Sequence, residues 1–110
     1  MKGRRGNAQG KAAQVKPSIA LERNRTAVRS SAARHRLANP RVFGSVARGS
    51  DVSGSDLDLL VDPLPNATLF DVGGFQDEME RLLGVHVDVR TPGDLPMPIR
   101  DRVLSEAKPI

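Results

Sequence analysis

Two short motifs in this chain could do chemistry together: Gly44-Ser45 and, ten residues further on, Asp56-Leu57-Asp58. Side chains two apart on a strand point to the same side, so Asp56 and Asp58 would place two carboxylates together at the start of an apolar run. A cation can neutralise such a pair, and Mg2+ prefers carboxylate oxygen while keeping positions for waters and substrate phosphates. The pair therefore predicts a magnesium site beside a nucleotide.

The Gly44-Ser45 motif has the features of a phosphate-binding turn. The glycine lets the backbone approach a ligand closely, Ser45 supplies a hydroxyl, and amides at the start of the next helical turn face outward as anion donors. Arg48 would add a cation, although an ordinary surface role is equally open, and Ser55 joins the predicted nucleotide-binding set. Asp88, in the stretch VHVDVR, has the strand parity to join the first two acids.

Alternating helices and strands must position these residues. A helix is predicted from Ser18 to before Asn39-Pro40, since a residue preceding proline avoids the helical region. Strands are predicted at 41–44, 56–62 and 85–90, and a last helix near 98–107. Between the second and third strands, a helix is predicted to begin with a capping box of Thr68 and Asp71 and to end at Gly84. Its apolar stripe is Val72, Phe75, Met79, Leu82 and Leu83. This order predicts an α/β domain in which helices cover one sheet.

Length and charge suggest one domain preceded by an arm. At 110 residues the chain suits a single modest core. Residues 1–17 are basic and without periodicity, which predicts a disordered arm, and residues 18–110 form the predicted domain. Residues 1–40 carry ten Lys or Arg against one acid, whereas residues 41–110 carry seven against twelve. The positive charge is therefore concentrated ahead of the two motifs.

Composition also narrows the ligands and the location. No cysteine is present, so disulfides, thiolate metal sites and a cysteine nucleophile are excluded. No apolar run is long enough to span a bilayer, and no apolar segment follows the basic start, so a cytoplasmic protein is expected. The basic arm leaves nucleic-acid binding open, but no aromatic residues are interleaved for base stacking, which favours a solvated or protein-docking arm.

The stretches RVFGSVARG and SDLDLLVD resemble the minimal nucleotidyltransferases of the DNA polymerase β superfamily, whose signature is Gly-Ser, ten residues and Asp-x-Asp. The resemblance extends from about Ser18 to the C-terminus and implies the polymerase β-like nucleotidyltransferase fold, a small mixed β-sheet covered by helices. It implies that Gly44 and Ser45 hold the β- and γ-phosphates of a nucleoside triphosphate. It also implies that Asp56 and Asp58 bind one or two Mg2+ and that Asp88 is the third carboxylate.

The same resemblance suggests an acceptor. Larger members carry added acceptor-binding domains, so this short chain is expected to meet its acceptor on a partner protein. The subgroup of antitoxins paired with a HEPN-type toxin ribonuclease fits, with AMP transferred from ATP to a toxin tyrosine; the chain itself has no tyrosine to modify. Two alternatives remain open: a non-catalytic antitoxin that binds the toxin, and a homodimer that modifies a small molecule.

Three other polar residues are predicted to lie outside the site. His35 and His86 are interpreted as surface or packing histidines, and Asp62, at the far end of its strand, as a turn residue.

Overall fold

The computed structural model describes residues 15–110. Residues 1–14 of the expected arm lie outside the described part, so the expectation for them stays a prediction. At the end of that arm, Val15 packs against the core and Pro17 already begins the first helix. No helix among residues 15–110 is long and apolar enough to cross a membrane.

Helices and strands alternate along the described chain. The helices are α1 (Pro17–Glu22), α2 (Arg25–Arg34), α3 (Gly44–Arg48), α4 (Leu69–Leu83) and α5 (Met97–Glu106), and the strands are β1 (Leu37–Phe43), β2 (Leu57–Pro63), β3 (Val87–Arg90) and β4 (Lys108–Pro109). A short 3-10 turn, Pro92–Asp94, precedes α5. This order confirms the predicted α/β class.

The four strands form one mixed sheet in the order β3-β2-β1-β4. Strand β1 runs antiparallel to both β2 and β4, whereas β2 and β3 are parallel. A parallel pair needs a crossover connection, and α4 supplies it between β2 and β3. The starts of β2 and β3 and the end of β1 therefore lie at the same end of the sheet.

Strand β2 has one fully buried apolar face, as its alternation predicts, and a second face that is buried at Leu60. Leu57, Leu59 and Val61 lie in the main core with residues of α2 and α4, and each is fully buried. Leu60 faces the other way and packs with Leu95 and with Val103 of α5. Asp58 has the parity of Leu60, so it lies on the α5 face, beyond the apolar contacts that cover Leu60.

The single helix predicted from Ser18 is instead two helices. Ser18 does not cap a helix; Pro17 occupies the first turn, and no side chain caps α1. The break follows from Asn24, whose side-chain Nδ2 donates to the Ala20 carbonyl at 2.8 Å. The backbone amide of Asn24 donates instead to the Leu21 carbonyl, three residues back. Short polar side chains compete with the helical backbone in this way, and the chain restarts at Arg25.

Strand β1 is longer than the predicted stretch 41–44, because it begins at Leu37 and ends at Phe43. It accommodates Asn39-Pro40 through an irregularity between Ala38 and Arg41, where Asn39 adopts a φ of +53°. Proline is tolerated in a strand at such bulges. Pro40 therefore interrupts the ladder locally without ending the strand.

Helix α4 shows the predicted ends. Thr68 and Asp71 form the capping box, and Gly84 ends the helix in the left-handed conformation at a φ of +69°. Of the predicted apolar stripe, Phe75, Met79 and Leu83 are buried and Val72 is half-buried, but Leu82 is 40% exposed, so its assignment to the core was wrong. Gly74 lets the His35 ring pack closely against this helix, because a Cβ there would lie 3.0 Å from the ring.

Candidate active site

The site is built on one row of residues that crosses three strands. Phe43, Asp58 and Asp88 are register partners: Phe43 pairs with Asp58 across β1 and β2, and Asp58 pairs with Asp88 across β2 and β3. Neighbouring strands lie about 4.8 Å apart, so Asp58 and Asp88 are adjacent. Gly44 follows Phe43 directly, which brings the turn of the first motif to the carboxylates of the second.

Gly44 lies directly against Asp58. A Cβ atom on Gly44 would collide with Asp58 Oδ2 and would lie 3.1 Å from its Cγ. Gly44 also has a φ of +71°, a region that glycine adopts without the steric penalty of other residues. Both the space and the backbone angle therefore require glycine at this position.

The surroundings of Asp58 disfavour its negative charge. Burial raises the pKa of its carboxyl group to about 6, and the neighbouring charges of Asp88 and Asp56 add to this effect, while Arg90 and Arg48 oppose it in part. A divalent cation would reverse this balance because it stabilises the ionised form. The donor set is thus chemically suited to Mg2+.

The other two acids are oriented differently. Asp88 is half-buried, and the Arg90 Nε donates to its carboxylate oxygens at 3.1 and 3.2 Å. Asp56 is exposed just before β2, and His86 Nδ1 lies 3.8 Å from its Oδ1. His86, expected outside the site, therefore borders it.

With these orientations, no three acidic or histidine side chains within residues 15–110 converge closely enough to hold a metal ion. The arrangement still fits Mg2+, which commonly takes one or two protein carboxylates and completes its shell with waters and substrate phosphates. Asp58 and Asp56 would supply these carboxylates. Asp88 could join them once its side chain turns away from Arg90.

The remaining residues of the predicted nucleotide set occupy the turn and the loop that follow β1. Ser45 is half-buried in α3, and its carbonyl accepts the Ser50 amide at 2.9 Å. Arg48 Nη1 lies 3.1 Å from Glu106 Oε1. Ser55 Oγ accepts the Val52 amide at 2.9 Å. Ser45 and Arg48 therefore belong to the helical turn that begins at Gly44, whereas the Ser55 hydroxyl takes part in the turn before β2.

A buried acid fastens the loop between the two motifs. Asp51 is only 6% exposed, and its Oδ2 accepts the Ser18 amide of α1 at 2.9 Å. This contact joins the ten-residue spacer to the helical layer. The spacing between Ser45 and Asp56 is thus part of a folded loop with its own anchor.

Two of the residues predicted to lie outside the site have structural roles elsewhere in the fold. His35 Nε2 lies 3.0 Å from Glu78 Oε1, between α2 and α4. Asp62 pairs with Arg41 at 2.6 Å, at the other end of β2 from Asp56. Neither residue belongs to the row of aspartates.

The structure adds two residues that the motifs did not indicate. Arg90 pairs with Asp88, and Glu106 accepts the Gly44 amide at 2.8 Å. Arg90 could have been found from the sequence, because it lies two residues after Asp88 with the same strand parity. Glu106 could not, because 62 residues separate it from Gly44.

The sequence matches the Nucleotidyltransferase domain family over residues 25–110. The chain therefore belongs to this family and is a nucleotidyltransferase. It is also 35% identical over 74 residues to the "Putative protein adenylyltransferase MJ0435" of Methanocaldococcus jannaschii, an alignment that covers 67% of this chain and 80% of the relative.

Solved structures agree with the fold. A structure described as a "putative minimal nucleotidyltransferase" is 44% identical, with a TM-score of 0.77, and the match covers 84% of this chain and 95% of the other. A toxin-antitoxin crystal structure with AMP-PNP has a TM-score of 0.67 at 17% identity, covering 78% of this chain and 71% of that one. The resemblance to minimal nucleotidyltransferases and the polymerase β-like fold are thus confirmed.

Proposed function

We propose that this protein transfers AMP from ATP to a hydroxyl group of a partner protein, with a tyrosine of a HEPN-type toxin ribonuclease as the expected acceptor. Adenylylation would neutralise the toxin, which makes the protein an antitoxin. The observation that carries the proposal is the contact of Gly44 with Asp58, because it joins the phosphate-binding turn to the acidic pair. The adenylyltransferase named above and the toxin-antitoxin structure with AMP-PNP support the choice of reaction and partner.

In this proposal, the Gly44-Ser45 turn holds the β- and γ-phosphates and leaves the α-phosphorus facing the start of β2. Asp56 and Asp58 would hold Mg2+, which neutralises phosphate charge in such reactions. Asp88 would complete the acidic set and favour release of the proton from the acceptor hydroxyl. Arg48 contributes positive charge beside the turn.

The reaction is an in-line displacement at the α-phosphorus. The acceptor oxygen forms a new bond to that phosphorus, the bond to the β-phosphate bridging oxygen breaks, and pyrophosphate leaves with the bonding electrons. The hydroxyl proton departs on the side of Asp88. The products are an adenylylated hydroxyl, pyrophosphate and the proton, which passes through the Asp88 carboxylate to solvent, so atoms and charge balance without any further reactant.

The test is to label a defined partner with ATP that carries radioactive phosphorus at the α-position. We would use the small helical protein encoded by the neighbouring reading frame, selected for an Arg and a His separated by about four residues. The wild-type chain with Mg2+ should transfer label to this partner, and the double variant Asp56→Ala, Asp58→Ala should transfer none. Asp77→Asn, which changes an exposed carboxylate on α4, is the matched control and should label normally.

Two outcomes would overturn the proposal. Undiminished labelling by the double variant would reject the site. Neutralisation of the partner without ATP, by both the wild type and the double variant, would instead favour the non-catalytic antitoxin.

A further inference from the structure

Glu106, the last residue of α5, contacts the predicted phosphate-binding turn at two points. Its Oε2 accepts the Gly44 amide at 2.8 Å, and Arg48 Nη1 lies 3.1 Å from its Oε1. The side chain is 18% exposed. The Gly44 amide and then Arg48 hold the pKa of the Glu106 carboxyl group below its usual value, so the group is ionised at neutral pH. One carboxylate thus links both ends of α3.

Glu106 is held in place from both sides of the chain. Before it, Val103 of α5 is 4% exposed and packs with Leu60 and Leu95 against the sheet. After it, β4 pairs with β1, with Lys108 opposite Val42, and the Ile110 amide donates to the Pro40 carbonyl at 3.1 Å. The carboxylate is therefore carried by a segment fixed to the same strand that leads into Gly44.

Only glycine fits at position 44, so a hydrogen bond to its amide bears directly on the geometry of the turn. Gly44 lies so close to Asp58 that no Cβ fits between them, and its φ of +71° sets the direction of the following residue, Ser45. A rotation of the Gly44 peptide would move the Ser45 hydroxyl and amide relative to the Asp58 carboxylate. A charged acceptor on a half-buried amide opposes that rotation, because hydrogen bonds to ionised groups are stronger than neutral ones.

We infer that Glu106 is a positioning residue of the nucleotidyl-transfer site, which fixes the Gly44-Ser45 turn against Asp58 and orients Arg48 beside it. The inference rests on the proposed function for the identity of the nucleotide. Glu106 acts through Gly44 and Arg48 and does not itself contact the reacting atoms. The competing interpretation is that the carboxylate stands where a phosphate binds and must leave before ATP enters.

The test is calorimetric titration of the full chain with the β,γ-imido analogue of ATP in the presence of Mg2+. Glu106→Ala should weaken binding roughly tenfold or more, the size of effect expected when a partner that orients a ligating group is lost. Glu106→Gln should recover part of the affinity, because its amide oxygen can still accept the Gly44 amide but forms a weaker hydrogen bond than the carboxylate does. Glu22→Gln, which makes the same chemical change on an exposed residue of α1, should bind like the wild type.

A readout of the turn itself separates positioning from a general loss of folding. All variants are compared below their melting temperatures, and the Gly44 amide is followed by its NMR shift and hydrogen-exchange rate. Exchange should accelerate most in Glu106→Ala and fall between that rate and the wild-type rate in Glu106→Gln. Affinity and exchange that change together at Gly44, while the core amides of β2 remain protected, support the inference.

Other outcomes overturn it. Analogue binding that is unchanged or tighter in both Glu106 variants would mean that the carboxylate is displaced by phosphate. If the partner is labelled normally but Glu106→Ala does not weaken analogue binding, the inference is rejected and the proposed function is kept. An affinity pattern as described, without labelling of any partner, would keep the inference and reject the proposed acceptor. A wild-type chain that binds no analogue would reject both.

Discussion

The two ends of β2 carry aspartates of the same strand parity in opposite circumstances. Asp62, at the far end, has its charge compensated by Arg41 at 2.6 Å and by the Asn39 amide group at 3.1 Å. Asp58, at the near end, has no direct ion pair within the described chain, adjoins two other acids, and has a pKa raised to about 6. An acid whose charge is compensated by a neighbouring arginine is structural, whereas an acid left without a counter-charge beside a glycine turn is available to a cationic ligand.

The largest effect should follow from closing the space at the near end. Gly44→Ala places a Cβ against the Asp58 carboxylate and imposes a positive φ on alanine. We expect partner labelling to fall at least 100-fold and the free energy of unfolding to fall by about 2–3 kcal/mol. The measurements are labelling rate and denaturant unfolding.

Gly49→Ala is the matched control, because Gly49 has a φ of +75° but open space around the position of a Cβ. It should lose only about 1 kcal/mol of stability and keep most of its labelling activity. An equal loss of activity in both glycine variants would show that backbone strain, and not contact with Asp58, explains the requirement at Gly44.

At the far end, Asp62→Ala should affect stability without affecting activity. The change leaves Arg41, whose side chain is 13% exposed, without its carboxylate partner, and stranded charged groups of this kind cost about 1–3 kcal/mol. Thermal unfolding of the variant should show this loss, while labelling stays at the wild-type rate. Asp77→Ala breaks an exposed pair on α4 and should change stability by less than about 0.5 kcal/mol.

Activity lost in Asp62→Ala at temperatures where the protein remains folded would remove the contrast between the two ends.

The smallest effect concerns the charge of Asp58 in metal-free protein. Because the folded-state pKa is about 6 and the ordinary value is 3.8, the folded state binds this proton more tightly than the unfolded chain. The resulting contribution to stability is complete below about pH 4 and is lost as the pH rises through 6. With allowance for solvent screening of a half-exposed group, Asp58→Asn should therefore be about 1 kcal/mol more stable than the wild type at pH 7.5.

That advantage should disappear near pH 4, where both side chains are neutral. Urea unfolding at the two pH values, in the presence of a chelator, measures the difference. A variant that is less stable than the wild type at pH 7.5 would contradict the raised pKa, and with it the electrostatic contrast between Asp58 and Asp62.

The face on which Asp58 lies and the ends of α4 could be predicted from the sequence, because they depend on local rules. Strand parity placed Asp58 on the face of Leu60, and the capping box at Thr68 and the glycine stop at Gly84 set the ends of α4. The family resemblance indicated a mixed sheet. Nothing in the periodicity of β3 could establish that Asp88 pairs with Asp58, because register depends on the whole sheet.

The features that were missed depend on competition or on distance along the chain. Asn24 bonds to the Ala20 carbonyl and divides one apparent helix into two, although the apolar spacing continues across the break. Leu82 satisfies the helical period but lies on the exposed edge of the stripe. Glu106 meets Gly44 because α5 packs against Leu60 and β4 returns the chain to β1. A single sequence carries no local signal for such a contact.

The central claim is that a magnesium-bound triphosphate occupies the near end of β2, between the Gly44-Ser45 turn and the acids. The most direct test is a crystal structure of the full chain with Mg2+ and the β,γ-imido analogue of ATP. We expect the phosphates on the Gly44-Ser45 turn and the metal on Asp56 and Asp58. A nucleotide bound elsewhere, with Asp56 and Asp58 making no contact to metal or phosphate, would contradict the account.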